Sequence, residues 1–233
     1  MAKKVLTQNL SEPLDGVTTA KVDIKMVDGN LTIDGTTRGE PFLTSGTLQY
    51  LEYQGLPTQL VNRSNGQTNF TLRASGKGQP WFRFPWASCN AATQWQIHLN
   101  PTVTFDITAH TGGGNVNLNL TDMAVTRVTA DTGGGNMEVI LPNHAAGLSV
   151  AAKTGAGNVV IHVPNSIAAR IHATSGLGKV IVDSRFNKID GNTYQSPEYD
   201  NTVDKIEITV ESGAGNVSVK EMIILHEAVT SRN

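Results

Sequence analysis

The chain has 233 residues, a net charge of −2 and no run of basic residues, which argues against a nucleic-acid or anionic-membrane surface. Its single cysteine, Cys89, excludes an intrachain disulfide and a cysteine-based zinc site. The N-terminal residues are too polar for a secretion signal, and no run of about 20 apolar residues is present to span a membrane. We therefore expect a cytoplasmic protein that reaches a membrane only through a partner.

The first hundred residues predict short strands in which apolar and polar residues alternate. Alternation leads into Asp28-Gly29-Asn30-Leu31-Thr32-Ile33 and returns in residues 47–53, 59–62 and 68–73, with a hairpin turn at residues 64–66. We interpret residues 1–100 as an antiparallel β subdomain with one degenerate repeat. It would cap the stack that follows, because an open stack exposes unpaired strand edges.

Residues 80–86 form the densest aromatic segment of an otherwise aromatic-poor chain. One interpretation makes it a hydrophobic plug over the mouth of the stack, and this is the one we favour. The other makes it an exposed patch that docks a partner or stacks on sugar rings. The residues of this tentative interaction patch are Trp81, Phe82, Arg83, Phe84 and Trp86.

The second half of the chain repeats the pattern Thr/Ser-Gly-x-Gly-Asn/Lys five times, starting at residues 111, 132, 154, 175 and 212. Apolar residues alternate on both sides of each copy, so each unit reads as two short strands joined by a glycine turn. Glycine accepts a positive φ without a Cβ clash, which a sharp reversal needs. The predicted turn residues are Gly112, Gly114, Asn115, Gly133, Gly135, Asn136, Gly155, Gly157, Asn158, Gly176, Gly178, Gly213, Gly215 and Asn216.

Outward positions indicate how the units stack. Equivalent residues in different copies carry opposite charges, as in the pairs Asp106 with Arg127, Asp131 with Lys153, and Arg170 with Glu207. Parallel, in-register stacking places such residues about 4.8 Å apart, where opposite charges attract. The pattern predicts an all-β protein, a parallel β-solenoid with coils of about 21 residues. An antiparallel sandwich or meander is the alternative.

The predicted solenoid covers residues 101–221, with an insertion at 185–204 that we expect to project as a loop. Residues 222–233 would form a C-terminal cap. The asparagine after each turn would build a ladder of amides along the stack, which Lys179 would interrupt in the fourth copy.

No motif predicts catalysis, a cofactor or a metal. Ser175-Gly176-Leu177-Gly178-Lys179 lacks the spacing and the following helix of a phosphate-binding loop. The Asp of calcium-binding glycine repeats is missing after each Gly-x-Gly. His162 and His172 would lie in successive coils with Asp183 as the third ligand, but exposed strand histidines are far commoner than such sites.

The run Trp95-Gln96-Ile97-His98-Leu99-Asn100-Pro101, the run Phe105-Asp106-Ile107 and the repeated glycine turns together resemble the bacterial toast-rack family of "putative adhesin" domains. That family is related to the C-terminal domain of membrane proteins of the cell-wall stress response. The resemblance spans most of the chain and implies a solenoid without known catalytic residues. We therefore expect a non-catalytic interaction or scaffold module linked to adhesion or envelope stress. Its expected partner is a protein or a second copy. A carbohydrate-binding or carbohydrate-processing solenoid is the alternative.

Overall fold

A computed structural model describes residues 4–75 and 93–224, and almost all of its regular structure is β-strand. The first strands are β1 (Val5–Pro13), β2 (Thr19–Met26), β3 (Asn30–Gly35), β4 (Phe42–Leu51), β5 (Thr58–Ser64), β6 (Gln67–Arg73) and β7 (Gln94–Leu99). The central strands are β8 (Thr104–Thr111), β9 (Val116–Asn119), β10 (Ala124–Thr132), β11 (Met137–Ile140), β12 (Ala146–Ala156) and β13 (Val159–Pro164). The last are β14 (Ala168–Ser175), β15 (Val180–Val182), β16 (Asn187–Asp190), β17 (Thr193–Gln195), β18 (Lys205–Ala214) and β19 (Val217–Met222).

Two sheets face each other across one apolar core. The nine-stranded sheet has the order β1-β4-β7-β3-β9-β11-β13-β19-β15, and the ten-stranded sheet has the order β16-β17-β14-β18-β12-β10-β8-β2-β6-β5. Each glycine repeat contributes one strand to each sheet, which makes one coil of the solenoid. We number these coils by sequence: coil 1 (β8, β9), coil 2 (β10, β11), coil 3 (β12, β13), coil 4 (β14, β15) and coil 5 (β18, β19).

The coils stack in parallel and in register, so the predicted solenoid is confirmed and the antiparallel alternative is wrong. Equivalent residues stack directly on one another and alternate between core and solvent. The inward column has at most 2% exposure in any member, and its members are Ile107, Val128, Val150, Ile208 and Ile171. Burying an aliphatic side chain in this way contributes roughly 1.5–3 kcal/mol, and several such columns fill the core between the two sheets.

The spatial order of the coils differs from their sequence order. Coil 5 lies between coil 3 and coil 4, because β18 pairs with both β12 and β14, and β19 pairs with both β13 and β15. This order gives both glutamates of β18 a cationic neighbour. Glu211 lies 3.2 Å from Lys153 of coil 3, and Glu207 lies 3.9 Å from Arg170 of coil 4.

The link from β13 to β14 crosses one end of coil 5. That end is open because β18 begins after residue 204 and β19 ends at Met222, so no turn joins the two strands there. Asn165 N donates to Met222 O at 2.9 Å. The Arg185 guanidinium, which is mostly buried, donates to the carbonyls of Pro164 and Ile167 at 2.9 and 2.5 Å and lies 3.5 Å from Glu221. Arg185 therefore holds the crossing link against the coil that it spans.

The N-terminal region continues the solenoid as well as capping it. Strands β2 and β3 form one further coil and β6 and β7 another, since β6 is parallel to β2 and β7 is parallel to β3. Among the described residues of this region, the antiparallel pairs are β1 with β4, β4 with β7 and β5 with β6, so the expectation of a wholly antiparallel subdomain is corrected in part. Here too a link, residues 100–103, crosses an open coil. Asn100 fixes it by donating to the carbonyls of Glu40 and Phe42 at 3.0 and 2.8 Å.

The glycine turns stack along one edge of the solenoid. Gly135 has φ +143°, and a Cβ there would lie 2.2 Å from Gly114 O of the preceding coil. Gly133 has no positive φ, so the conformational reason that we gave for the first glycine of each turn is wrong. Its requirement is the close approach of coils: a Cβ on Gly133 would lie 2.4 Å from Gly112 O. The Thr132 hydroxyl donates to Gly114 O at 2.9 Å, which links the coils further.

An asparagine ladder runs beside the glycines, in a different form from the one expected. Each asparagine Oδ1 accepts the backbone N–H of the equivalent residue in the next coil at 2.9–3.0 Å. The series begins at Asn30 and continues through Asn115, Asn136, Asn158 and Asn216. Lys179 does not interrupt it. Because coil 4 is last in space, the Lys179 N–H donates to Asn216 at 2.9 Å and ends the ladder.

The insertion at 185–204 folds back on the solenoid. The prediction that it projects as a loop is therefore wrong. Strand β17 pairs antiparallel with β14, and β16 pairs with β17. Tyr199 is 3% exposed and donates to Glu207 at 2.7 Å, with the guanidinium carbon of Arg170 4.3 Å from its ring centroid. Burial, followed by the hydrogen bond to Glu207, raises the pKa of the Tyr199 phenol to about 12.

Candidate functional site

The candidate site is a groove that crosses the strands of the ten-stranded sheet near their N-terminal ends. It joins three depressions of about 340, 410 and 340 Å³, because Thr104 and Thr126 line both the first and the second, and Ala124 and His144 line both the second and the third. We call it the strand-crossing groove. Its lining residues on the strands are Thr19, Ala20, Lys21, Gln67, Thr68, Asn69, Thr104, Asp106, Ala124, Val125 and Thr126.

Two irregularities in the strands lie beside this groove. Thr126 is an extra residue in β10, since Val125 pairs with Phe105 and Arg127 with Asp106. Gly147 is an extra residue in β12, with φ +73°. Bulges of this kind bend a strand and re-aim its side chains. The Thr126 side chain is thereby exposed in the groove while its hydroxyl donates to Phe105 O at 3.2 Å.

The groove carries charges of both signs. Lys21 and Asp106 are register partners in its floor, and Arg127 Nε lies 4.0 Å from Asp106 Oδ2. Asp106 Oδ1 is buried and has no hydrogen-bond partner among the described residues.

The third depression lies where the groove reaches the turns opposite the glycine edge. It is lined by Arg38, Asp122, Asn143 and His144, among others. His144 is highly exposed and lies 3.9 Å from Asp204, at the end of the folded-back insertion. Asn143 Oδ1 is a second buried acceptor without a partner in residues 4–75 and 93–224.

The groove is not recognisable in the sequence because its lining residues form no motif. Bulges and register, which bring four strands from distant parts of the chain together, create it. The tentative patch of Trp81, Phe82, Arg83, Phe84 and Trp86 lies outside the described residues.

The histidine arrangement that we weighed as a metal site is wrong. His162 lies on β13 in the nine-stranded sheet and His172 lies on β14 in the ten-stranded sheet. His162 Nε2 instead lies 2.9 Å from Glu138 Oε1 of the neighbouring coil. Asp183 follows β15, which pairs with β19 and not with β13. In the part of the chain that the structure describes, no three His, Cys, Asp or Glu side chains are grouped to hold a metal ion.

Residues 1–162 match the family described as the N-terminal domain of toast_rack, DUF2154, so the chain belongs to this family. It is similar to the crystal structure of a "putative cell adhesion protein" from Clostridium sporogenes ATCC 15579, with TM-score 0.84 and 21% identity, covering 94% of this chain and 100% of that one. A "putative adhesin" from Bacteroides fragilis NCTC 9343 matches with TM-score 0.36 and 13% identity, over 94% of this chain and 98% of that one. No curated protein matches the sequence.

The family match establishes the family, and the Clostridium sporogenes structure shows the same fold. Within the described residues, no helix is long and apolar enough to cross a membrane.

Proposed function

We propose that the chain is a non-catalytic interaction module that binds an extended partner in the strand-crossing groove, within an adhesion or envelope-related system. The observation that carries the proposal is the groove itself, which runs across β6, β2, β8 and β10 on the stacked strands of one sheet. Three strand spacings and the adjoining turn give it a length of about 15–20 Å, which fits roughly five residues of an extended peptide. The description of the Clostridium sporogenes protein as a cell adhesion protein supports the same role.

The first depression favours polar groups of a partner. Hydroxyl and amide side chains dominate its lining, and Asp106 there lies between Lys21 and Arg127 of the neighbouring strands. Such a surface gives modest affinity from each contact, and repetition along a cell surface multiplies modest affinities into firm attachment. This is the physical basis on which a protein without a deep pocket serves as an adhesion or scaffold module.

Beads coated with the protein test the proposal by their attachment to bacterial cells and to isolated cell envelopes. Thr126→Trp fills the groove, and Thr129→Trp places the same side chain on the same strand outside it. We expect the first variant to lose attachment at least tenfold and the second to retain it. Equal attachment by Thr126→Trp and wild type would refute the groove as the binding site.

A neutral oligosaccharide is the second candidate partner. The exposed side chains of Gln67, Asn69 and Thr126 favour it, since amides and hydroxyls both donate to and accept from sugar hydroxyls. Nuclear magnetic resonance titration with linear hexasaccharides distinguishes the two candidates. Shifts confined to Thr104, Asp106 and Thr126 would support a glycan. Absence of shifts at millimolar sugar, together with bead attachment that trypsin treatment of the cells abolishes, would support a protein partner.

A further inference from the structure

The two sheets end at different levels beyond coil 4. In the ten-stranded sheet, β14 is covered by β17 and then by β16. In the nine-stranded sheet, β15 is the last strand among the described residues. One further strand could therefore lie beside β15 in the nine-stranded sheet, opposite β17 of the ten-stranded sheet.

Alternate residues of β15 direct their backbone N–H and C=O groups toward its free edge. Val217 N donates to Lys179 O, and Asp183 N donates to Val219 O, each at 2.9 Å. Groups of alternate residues along a strand point to the same neighbour. Residues 179, 181 and 183 thus face β19, and the N–H and C=O groups of Val180 and Val182 point away from it.

The side chains at this edge are only partly covered. Val180 and Val182 pack against the core but are half-buried, whereas their register partners Val217 and Val219 in coil 5 are 0% and 1% exposed. Ile181, on the outer face, is 57% exposed. The end of the core on this side is incomplete by about one aliphatic strand.

The charges that flank β15 are of opposite sign, with the exposed Lys179 before it and Asp183 after it. We propose that β15 accepts an extended segment of another protein as an added antiparallel strand. The segment carries aliphatic residues opposite Val180 and Val182, an acidic residue opposite Lys179 and a basic residue opposite Asp183. Strand addition of this kind takes affinity from main-chain hydrogen bonds and specificity from alternate side chains.

A second copy of the whole chain fits this edge poorly. Antiparallel pairing of two β15 strands would place the β14 strand of the second copy about one strand spacing, roughly 4.8 Å, from the first β14. Strand β17 already occupies that place. The edge therefore favours a slender segment over a second solenoid.

Capped pentapeptides test the proposal by nuclear magnetic resonance titration of the full chain. The sequence Lys-Val-Thr-Val-Glu places each charge beside its opposite in the antiparallel arrangement, and Glu-Val-Thr-Val-Lys has the same composition with the charges reversed. We expect the first peptide to shift the Val180, Ile181 and Val182 amides at millimolar concentration and to slow hydrogen exchange at Val180 and Val182. The reversed peptide should bind at least threefold more weakly.

Two variants distinguish charge recognition from nonspecific binding of the peptides. Lys179→Glu should abolish the preference between the two peptides, because one favourable and one unfavourable charge pair then remains with either. Lys188→Glu, the matched charge reversal on β16, should keep the preference. The proposal is overturned if wild type binds both peptides equally or neither. It is also overturned if Val180 and Val182 are protected from exchange without peptide and lose this protection when residues 225–233 are deleted. The groove lies on the other sheet, so its bead assay is independent of these results.

Discussion

Two adjacent glycines in the second turn should respond differently to substitution by alanine. Gly135→Ala should destabilise the fold, whereas Gly134→Ala should leave its stability almost unchanged. Gly135→Ala puts a Cβ 2.2 Å from Gly114 O and 2.5 Å from Gly114 C, at a residue with φ +143°. Gly134→Ala puts a Cβ where no atom lies within 4 Å, at a residue without a positive φ. The sequence already shows the difference, since the middle turn position holds Ala156 in coil 3 and Leu177 in coil 4.

The expected loss for Gly135→Ala has three parts. Holding a non-glycine residue at this φ costs about 1–3 kcal/mol. Relieving the clash requires displacement of the coil-1 backbone, and overpacking of a rigid site costs about 1–3 kcal/mol. The displaced Gly114 carbonyl also weakens its hydrogen bond from Thr132, which is worth roughly 1 kcal/mol. The sum is about 3–7 kcal/mol, against a change within about 0.5 kcal/mol for Gly134→Ala.

Urea unfolding followed by circular dichroism measures both variants, with the slope of the transition checked against wild type. A loss of several kcal/mol for Gly135→Ala and almost none for Gly134→Ala would support the stacked-turn geometry. Equal and small losses at both positions would refute it, since the coils would then not approach as closely as the structure places them.

Three further predictions follow from other contacts. Asn136→Ala should lower the free energy of unfolding in urea by about 1 kcal/mol, because the ladder loses one acceptor, whereas Lys179→Ala should leave it unchanged, since only the main chain of Lys179 takes part. Arg185→Ala should cost about 2–4 kcal/mol by the same measurement, because two carbonyls and Glu221 lose their partner. The pKa of Tyr199, raised to about 12, means that the folded state keeps the phenol proton after the unfolded state has lost it. Its contribution is complete below pH 10 and disappears as the pH rises to 12, so the stability of Tyr199→Phe should fall less than that of wild type between these pH values.

The sequence predicted the parallel stacking of the coils because equivalent positions of the repeat are neighbours in the stack. Inward columns such as Ile107 and Val128 alternate with outward charges, and opposite charges at equivalent positions favour parallel coils. The glycine turns were visible for the same reason, although Gly133 serves close approach rather than an unusual φ.

The order of the coils was not readable from the repeat. Every coil offers nearly the same apolar residues to its neighbours. The apolar pattern therefore allows β18 either between β12 and β14, where it lies, or on the far side of β14. Contacts outside the repeat decide the order: the Arg185 clamp and the crossing link at Asn165. The groove was hidden for a related reason, since it depends on a bulge at Thr126 and on pairing across distant segments.

The position of coil 5 between coils 3 and 4 is the central structural claim, because it leaves β15 at the end of its sheet. Disulfide formation tests it in a Cys89→Ser background. Ala151 and Thr209 are register partners on adjacent strands, and His172 is the next partner beyond Thr209. Adjacent strands lie about 4.8 Å apart, within disulfide range, whereas two spacings, about 9.6 Å, lie beyond it. Oxidation should crosslink Ala151→Cys with Thr209→Cys and leave Ala151→Cys with His172→Cys reduced. The reverse result would place coil 4 directly on coil 3 and contradict this order.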